Sequence, residues 1–233
     1  MRHAHTDLLS LAVHELRDPT AVILGYARIL AGSRRGSLST AERRELASSI
    51  ERAARDLVQR LNTLSDLANL ERKTLPFNQL QLTLGSVLDG VVAELALEGG
   101  GRGVSVEVTG AAATTTLRAD PARLAKALKT ILATVAGRAP DNTSLLVRHE
   151  PRGGASRRGV ALIVGDRAAV DRISRQPVRR VRFGEGDDRL RLDGLLARRI
   201  IEAHGGQIWS TQAGPTVIEL PVVSRRPTRK SAD

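Results

Sequence analysis

No cysteine occurs among the 233 residues, so the chain has no disulfide framework and no thiolate ligands for a metal, which fits a reducing compartment. Aromatic residues make up only 2% of the sequence, one Trp, one Tyr and two Phe, too few to build stacking platforms for single-stranded nucleic acid. No helix-turn-helix pattern or zinc-ligand spacing appears either. No apolar run approaches the ~20 residues that span a bilayer. The opening Met1-Arg2-His3-Ala4-His5 lacks the apolar core of a signal peptide. These absences predict a cytoplasmic protein without membrane contact. Acidic residues are in deficit, 25 against 36 Lys and Arg, giving a formal charge of +11. The excess Arg is scattered rather than gathered in one stripe. An acidic protein surface is therefore the expected partner, with nucleic acid the lesser alternative.

The chain is long enough for two small domains, each with its own core. The first is organised around Val13-His14-Glu15-Leu16-Arg17-Asp18-Pro19. Leu9, Ala12, Leu16, Pro19, Ile23, Tyr26 and Leu30 recur at spacings of three and four, the seam of a packed helix running from about residue 5 to 33. On that register His14 lies opposite the seam and faces solvent, where another protein can reach it. Pro19 removes a backbone donor and should bend the helix one turn past the histidine. Gly32-Ser33-Arg34-Arg35-Gly36 is turn chemistry. Ser39 or Thr40 opens a second helix with Glu42 as its capping-box acid. Leu46, Ile50, Ala53, Leu57, Leu61, Leu64 and Leu67 carry its apolar face to about Lys73. Further apolar residues at Leu8, Val22, Ile29 and Val58 exceed what one hairpin can bury. A second copy would cover them in a dimeric four-helix bundle; packing on the chain's own second domain is the alternative.

Beyond Thr74-Leu75-Pro76-Phe77 the pattern becomes mixed. A helix is expected over 84–97, a turn over 98–103, a strand over 104–108 and a second over 114–118. Asp120 caps a helix with Pro121 in its first position, reaching about residue 136. Strands follow at 143–149 and 160–164. A helix over 190–204 is stopped by Gly205-Gly206, and a hairpin of 207–211 with 217–221 closes the domain. Residues 224–233 form a basic tail without expected structure. The expected fold class is α+β, with a hairpin domain at 1–74 and an α/β sandwich at 75–223.

The His14-Glu15-Leu16-Arg17-Asp18-Pro19 cluster resembles the H-box of two-component histidine kinases, in which an acid follows the phosphorylated histidine and a proline stands five residues after it. Arg118-Ala119-Asp120-Pro121-Ala122-Arg123-Leu124, Val164-Gly165-Asp166 and Ile200-Ile201-Glu202-Ala203-His204-Gly205-Gly206-Gln207-Ile208 extend the resemblance to that family's ATP-binding domain. It implies that His14 is the phosphoacceptor and that Glu15 holds one ring N–H, exposing the other nitrogen as nucleophile. Arg17 would neutralise phosphoryl charge or serve as a surface ion-pair residue. Asp18 stands where the family has Asn or Thr, a position associated with dephosphorylating the partner, and this departure argues against phosphatase activity.

The ATP motifs depart further. The family's two Asn correspond to Thr130 and Thr134, so no magnesium site is expected. Asp166 is retained as the adenine-reading acid, but the glycines of Asp-x-Gly-x-Gly are Ala168 and Val170. The Gly-x-Gly phosphate loop falls on Arg191 and Asp193, where a side chain and a carboxylate oppose phosphate binding. Gly194 lies one residue late, and Asp141 and Asn142 cannot stand in for the lost Asn. The resemblance thus implies a phosphorelay protein with a degenerate ATP-binding-like domain, no metal and no cofactor. As a homodimer it would receive phosphoryl groups from an upstream kinase or receiver and pass them to receiver-domain aspartates of response regulators. Two alternatives stand beside it: an active sensor histidine kinase using ATP and magnesium through Asp166, and a non-catalytic pseudokinase scaffold.

Overall fold

The computed structural model describes residues 2–33, 38–98, 104–110, 114–152, 159–173, 179–183, 191–211 and 214–222. The turn expected over 98–103, apart from its first residue, and the tail at 224–233 lie outside them. The chain divides into two units, Met1–Leu75 with Leu190–Leu196, and Pro76–Arg189 with Ala197–Asp233.

The first unit is built on an antiparallel hairpin of α1 (Arg2–Gly32) and α2 (Thr40–Glu71). Helix α1 runs through Pro19 without a break. The Thr20 hydroxyl donates to the Leu16 carbonyl at 2.7 Å. Helix α2 starts as its sequence dictates: the Ser39 hydroxyl accepts from the Glu42 amide at 3.2 Å, and the Glu42 carboxylate accepts from the Ser39 amide at 2.7 Å. It ends in a Schellman turn, with Lys73 N–H on the Leu70 carbonyl and Thr74 N–H on the Asn69 carbonyl. Lys73 itself takes the left-handed φ of 56°.

The seam is rotated slightly from expectation. Ala12, Glu15 and Pro19 are buried, and Leu16, Ile23, Tyr26 and Leu30 are half-buried. Leu9 is 67% exposed, and its place is taken by the half-buried Leu8. On α2, Leu61 is exposed while Thr63 and Leu67 are buried.

The second unit is α+β. Its six-stranded sheet has the order β2-β4-β5-β8-β7-β6, formed by β2 (Ser105–Thr109), β4 (Ser144–Arg152), β5 (Gly159–Asp166), β8 (Thr216–Pro221), β7 (Gln207–Thr211) and β6 (Arg180–Arg182). Only β2 and β4 are parallel; the other neighbours are antiparallel. A separate ribbon pairs β1 (Leu80–Thr83) with β3 (Thr116–Ala119). Helices α3 (Leu84–Glu98) and α4 (Pro121–Arg138) pack on each other.

Strand β5 is buried from Val160 to Gly165, which a strand achieves only when both its faces are covered. On one face Ala161 and Ile163 pack with Leu146, Trp209, Val217 and Val170 of the short helix α5 (Arg167–Ile173). Three elements were not foreseen: β1, α5 and β6. Each is seven residues or shorter, too short for periodicity to register. Among the described residues, no helix is long and apolar enough to cross a membrane.

Candidate functional site

His14 projects from the middle of α1 into solvent, flanked by the exposed Val13, Arg17 and Asp18. Its neighbour Glu15 is turned the other way and is only 7% exposed. Consecutive residues of an α-helix stand about 100° apart, so a helix that exposes His14 sends Glu15 toward its packed side. There one Glu15 oxygen accepts from Arg60 Nη1 at 2.6 Å, and the other accepts from the Leu192 amide at 2.6 Å. Arg191 Nε lies 3.5 Å away. Both carboxylate oxygens are therefore engaged, and the expected hydrogen bond from the His14 ring to Glu15 is not formed.

Arg60 also donates from Nε and Nη2 to Asp56 at 3.1 and 2.8 Å. Burial opposes its charge, but Asp56, Glu15 and Asp193 outweigh that and raise its pKa above the ordinary guanidinium value. One turn along α2, the Thr63 hydroxyl donates to Asp193 at 2.8 Å. Sequence reasoning passed over Arg60 and Thr63. The signal was there: they follow Leu57 at spacings of three and three and precede Leu67 by four, so they share the apolar stripe. A polar residue on such a stripe calls for a buried partner.

The second unit positions the remaining residues. The Thr130 hydroxyl donates to the Lys126 carbonyl at 3.0 Å, and that of Thr134 to the Thr130 carbonyl at 2.7 Å. Both are thus turned back on their own helix. Asp166 is exposed, and its carboxylate accepts from the Ala169 amide at 2.8 Å, capping α5. Ala168 is exposed, whereas Val170 is fully buried in the core. Gly165 is required where it stands, because a Cβ there would lie 2.9 Å from Cβ of Pro215.

Asp120 caps α4 through the Arg123 amide at 3.1 Å and also accepts from the Asn78 amide at 3.0 Å. Burial works against its charge, but these two amides and the Arg123 guanidinium outweigh it and hold its carboxyl below the usual value. The Asp120 amide in turn donates to Nε2 of the buried His204 at 3.0 Å, while His204 Nδ1 donates to the Ile200 carbonyl at 2.8 Å. These partners fix a single ring tautomer. Phe77 meets the same ring edge-on, with centroids 5.0 Å apart. His204 is thus a structural pin between the start of α4 and the end of α6 (Leu192–Ala203). Among the described residues, no group of three His, Cys, Asp or Glu is placed to hold a metal ion.

Residues 4–73 match the sequence family of the His Kinase A (phospho-acceptor) domain. Over 68 residues the chain is 37% identical to an uncharacterised sensor-like histidine kinase of Rhizobium meliloti, a match covering 29% of this chain and 13% of that protein. Among solved structures, the histidine kinase AdeS of Acinetobacter baumannii aligns over 91% of this chain and 98% of its own, at a TM-score of 0.64 and 18% identity. The histidine kinase ThkA, solved in complex with the response regulator protein TrrA, aligns over 93% of this chain and 61% of its own, at a TM-score of 0.60 and 15% identity. Full-length ShkA, solved in complex with AMPPNP, aligns over 94% and 46%, at 0.59 and 19%. At such identities the structural matches speak for the fold, while the sequence match covers the hairpin.

Proposed function

We propose, from the match of residues 4–73 to the His Kinase A (phospho-acceptor) domain, that the hairpin of this chain presents His14 as a phosphoacceptor that relays phosphoryl groups between receiver-domain aspartates. The observation that carries this reading is His14 itself, exposed on a helix matching the phospho-acceptor domain and followed by Glu-Leu-Arg-Asp-Pro. A neutral imidazole open to solvent is a competent nucleophile near neutral pH. Arg17 and Asp18 lie exposed beside it, where a receiver would dock.

The functional unit is a homodimer. Val22, Ile29 and Val58 are 41%, 48% and 56% exposed, an apolar face on the hairpin that a second copy would bury. The α/β unit serves as a structural or docking module rather than an ATP site. Supporting that are the Thr130 and Thr134 hydroxyls committed to their own helix, the Asp166 carboxylate committed to α5, and the side chains at Arg191 and Asp193 committed to Glu15 and Thr63. The second reading, an active kinase, draws on the exposure of Asp166, which leaves one of its carboxylate oxygens open to an adenine amino group.

Incubation of the purified chain with radiolabelled ATP and magnesium, in parallel with a prephosphorylated receiver domain, separates the readings. Label that reaches wild type from the receiver alone, and is lost in His14→Ala, is the expected result. Label from ATP on His14 would install the kinase reading. Label from neither, across the receivers of one genome, would favour a scaffold.

A further inference from the structure

Among the described residues of the unit that contains His14 is a polar cluster that phosphoacceptance by itself does not use. Glu15, Arg60, Asp56, Thr63, Arg191, the Leu192 amide and Asp193 form a network on the side of the hairpin away from His14, with Glu15, Arg60 and Thr63 at its buried centre and Asp56 and Arg191 at its open edge. Such a network is costly to bury and gains specificity only when every member is satisfied. Here it is satisfied through Glu15, the residue next to the nucleophile.

We propose that Arg60 and residues 191–193 are positioning residues that set the reactivity of His14 by holding the Glu15 carboxylate away from its ring. This rests on His14 being the phosphoacceptor. Two geometric facts support it. First, the bonds from Arg60 and from the Leu192 amide go to different Glu15 oxygens, at 2.6 Å each, so both oxygens are held by partners on the packed side of α1. Charge-assisted bonds of this length are the strong ones. Second, the Leu192 amide is an orphan donor at the first turn of α6, where a carboxylate is favoured by the helix dipole. Residues 191–193 are themselves fastened to α2 by the Thr63–Asp193 hydrogen bond. Loosening that bond frees the Leu192 amide from Glu15 while leaving Arg60 in place.

The Glu15 oxygen freed in either way, Oε1 by release of the Leu192 amide or Oε2 by loss of Arg60, can turn toward the imidazole and accept its N–H. The ring then has one tautomer, with its other nitrogen free to attack phosphorus. The effect is testable without any receiver, using phosphoramidate as the phosphoryl donor. The imidazole nitrogen forms the new bond to phosphorus, the phosphorus–nitrogen bond of the donor breaks, and ammonia leaves, taking up the proton the ring gives up.

Phosphorylation of His14 by phosphoramidate would be followed by mass spectrometry in wild type, Thr63→Val, Arg60→Gln, and each of these combined with Glu15→Gln. Thr63→Val keeps the side-chain shape and removes only the donor to Asp193. It therefore carries the test if Arg60→Gln does not fold. The expected result is a rise of at least about threefold in both single variants, well below the ~100-fold or more available to a positioned base, and its disappearance when Glu15 is also replaced. Nitrogen-15 chemical shifts of the His14 ring should move toward a single tautomer in the faster variants, a change that a purely structural role for Arg60 would not produce. Equal rates and unchanged ring shifts in folded Thr63→Val would overturn the proposal, as would a rise that persists without the Glu15 carboxylate. A chain that responds in this way yet takes no phosphoryl group from any receiver would refute the relay reading and leave the positioning role standing.

Discussion

Asp120→Ala removes two hydrogen bonds with one substitution, and both can be valued. The Asp120 carboxylate caps α4 through the Arg123 amide and anchors the chain entering the unit through the Asn78 amide. Loss of the cap costs about 1 kcal/mol. Asn78 is exposed, so water replaces part of its bond, and that loss adds about 1 kcal/mol. Asp120→Ala should therefore destabilise the second unit by about 2 kcal/mol. Asp120→Asn keeps a capping oxygen and should cost less than half of that. Trp209, the only tryptophan in the chain, lies in the sheet of this unit with Arg180 stacked 4.5 Å over its ring. Its fluorescence in a urea titration reports this unit rather than the hairpin. The pH dependence gives a second check. Because the folded carboxyl is held below its usual value, its contribution is present above the unfolded pKa of ~3.9 and is lost as pH falls through the lower folded value. The gap between wild type and Asp120→Asn should thus narrow in acid. A cost below about 0.5 kcal/mol for Asp120→Ala, or equal costs for Ala and Asn, would refute the capping argument.

His149 is buried, and its pKa is lowered first by that burial; its Nε2 meets the Thr115 hydroxyl at 2.8 Å. The stability tied to its neutral ring is complete above the unfolded pKa of ~6.5 and is lost as pH falls through the lower folded value, so thermal melts of His149→Gln should decline less than wild type between neutral pH and pH ~5. Lys73 closes the Schellman turn of α2 at φ 56°, and Lys73→Gly should raise hairpin stability by about 0.5–1 kcal/mol, read by circular dichroism. Gly206→Ala should be far more damaging to the second unit than Gly205→Ala. A Cβ on Gly206 would be driven into the Glu219 carbonyl, whereas one on Gly205 meets only Cγ of Pro221 at 3.6 Å and bears just the strain of φ 77°. Urea midpoints followed by Trp209 would rank the pair.

The parts legible in the sequence were those written in local chemistry. Ser39 and Glu42 announce the start of α2, Asp120 and Pro121 that of α4, and Gly205 and Gly206 the end of α6, where their amides meet the Glu202 and Ile201 carbonyls as a Schellman turn requires. The rotation of the α1 seam was not legible. A stripe at spacings of three and four is wide enough to admit either Leu16 or Glu15, and an acid is assigned to solvent by default. Its burial depends on Arg60, 45 residues away, and on the Leu192 amide, 177 residues away, and no window along the chain spans those distances. Helix α5 was hidden for a related reason. Asp166 was read for what it could offer a ligand, while in the structure it serves as a cap for the next seven residues.

The same observation bears on the proposed loss of the nucleotide. A ligand-binding polar group is one the fold leaves without an internal partner, since an unsatisfied donor or acceptor is what the ligand completes. At the positions where the family resemblance would put ATP contacts, the groups already have partners. Two Thr hydroxyls bond backbone carbonyls, Asp166 bonds the Ala169 amide, and the Leu192 amide bonds a carboxylate. Asp166 keeps its second carboxylate oxygen open, but exchanging the other three for contacts to nucleotide forfeits about 1 kcal/mol net each, which would weaken binding roughly a hundredfold. Val170 adds a steric term, because opening space there means drawing a fully buried side chain out of the core it shares with Leu146, Ile163 and Trp209. On the proposed reading, the carboxylate of the residue beside His14 occupies the Leu192 amide, which the family resemblance would leave to a phosphate.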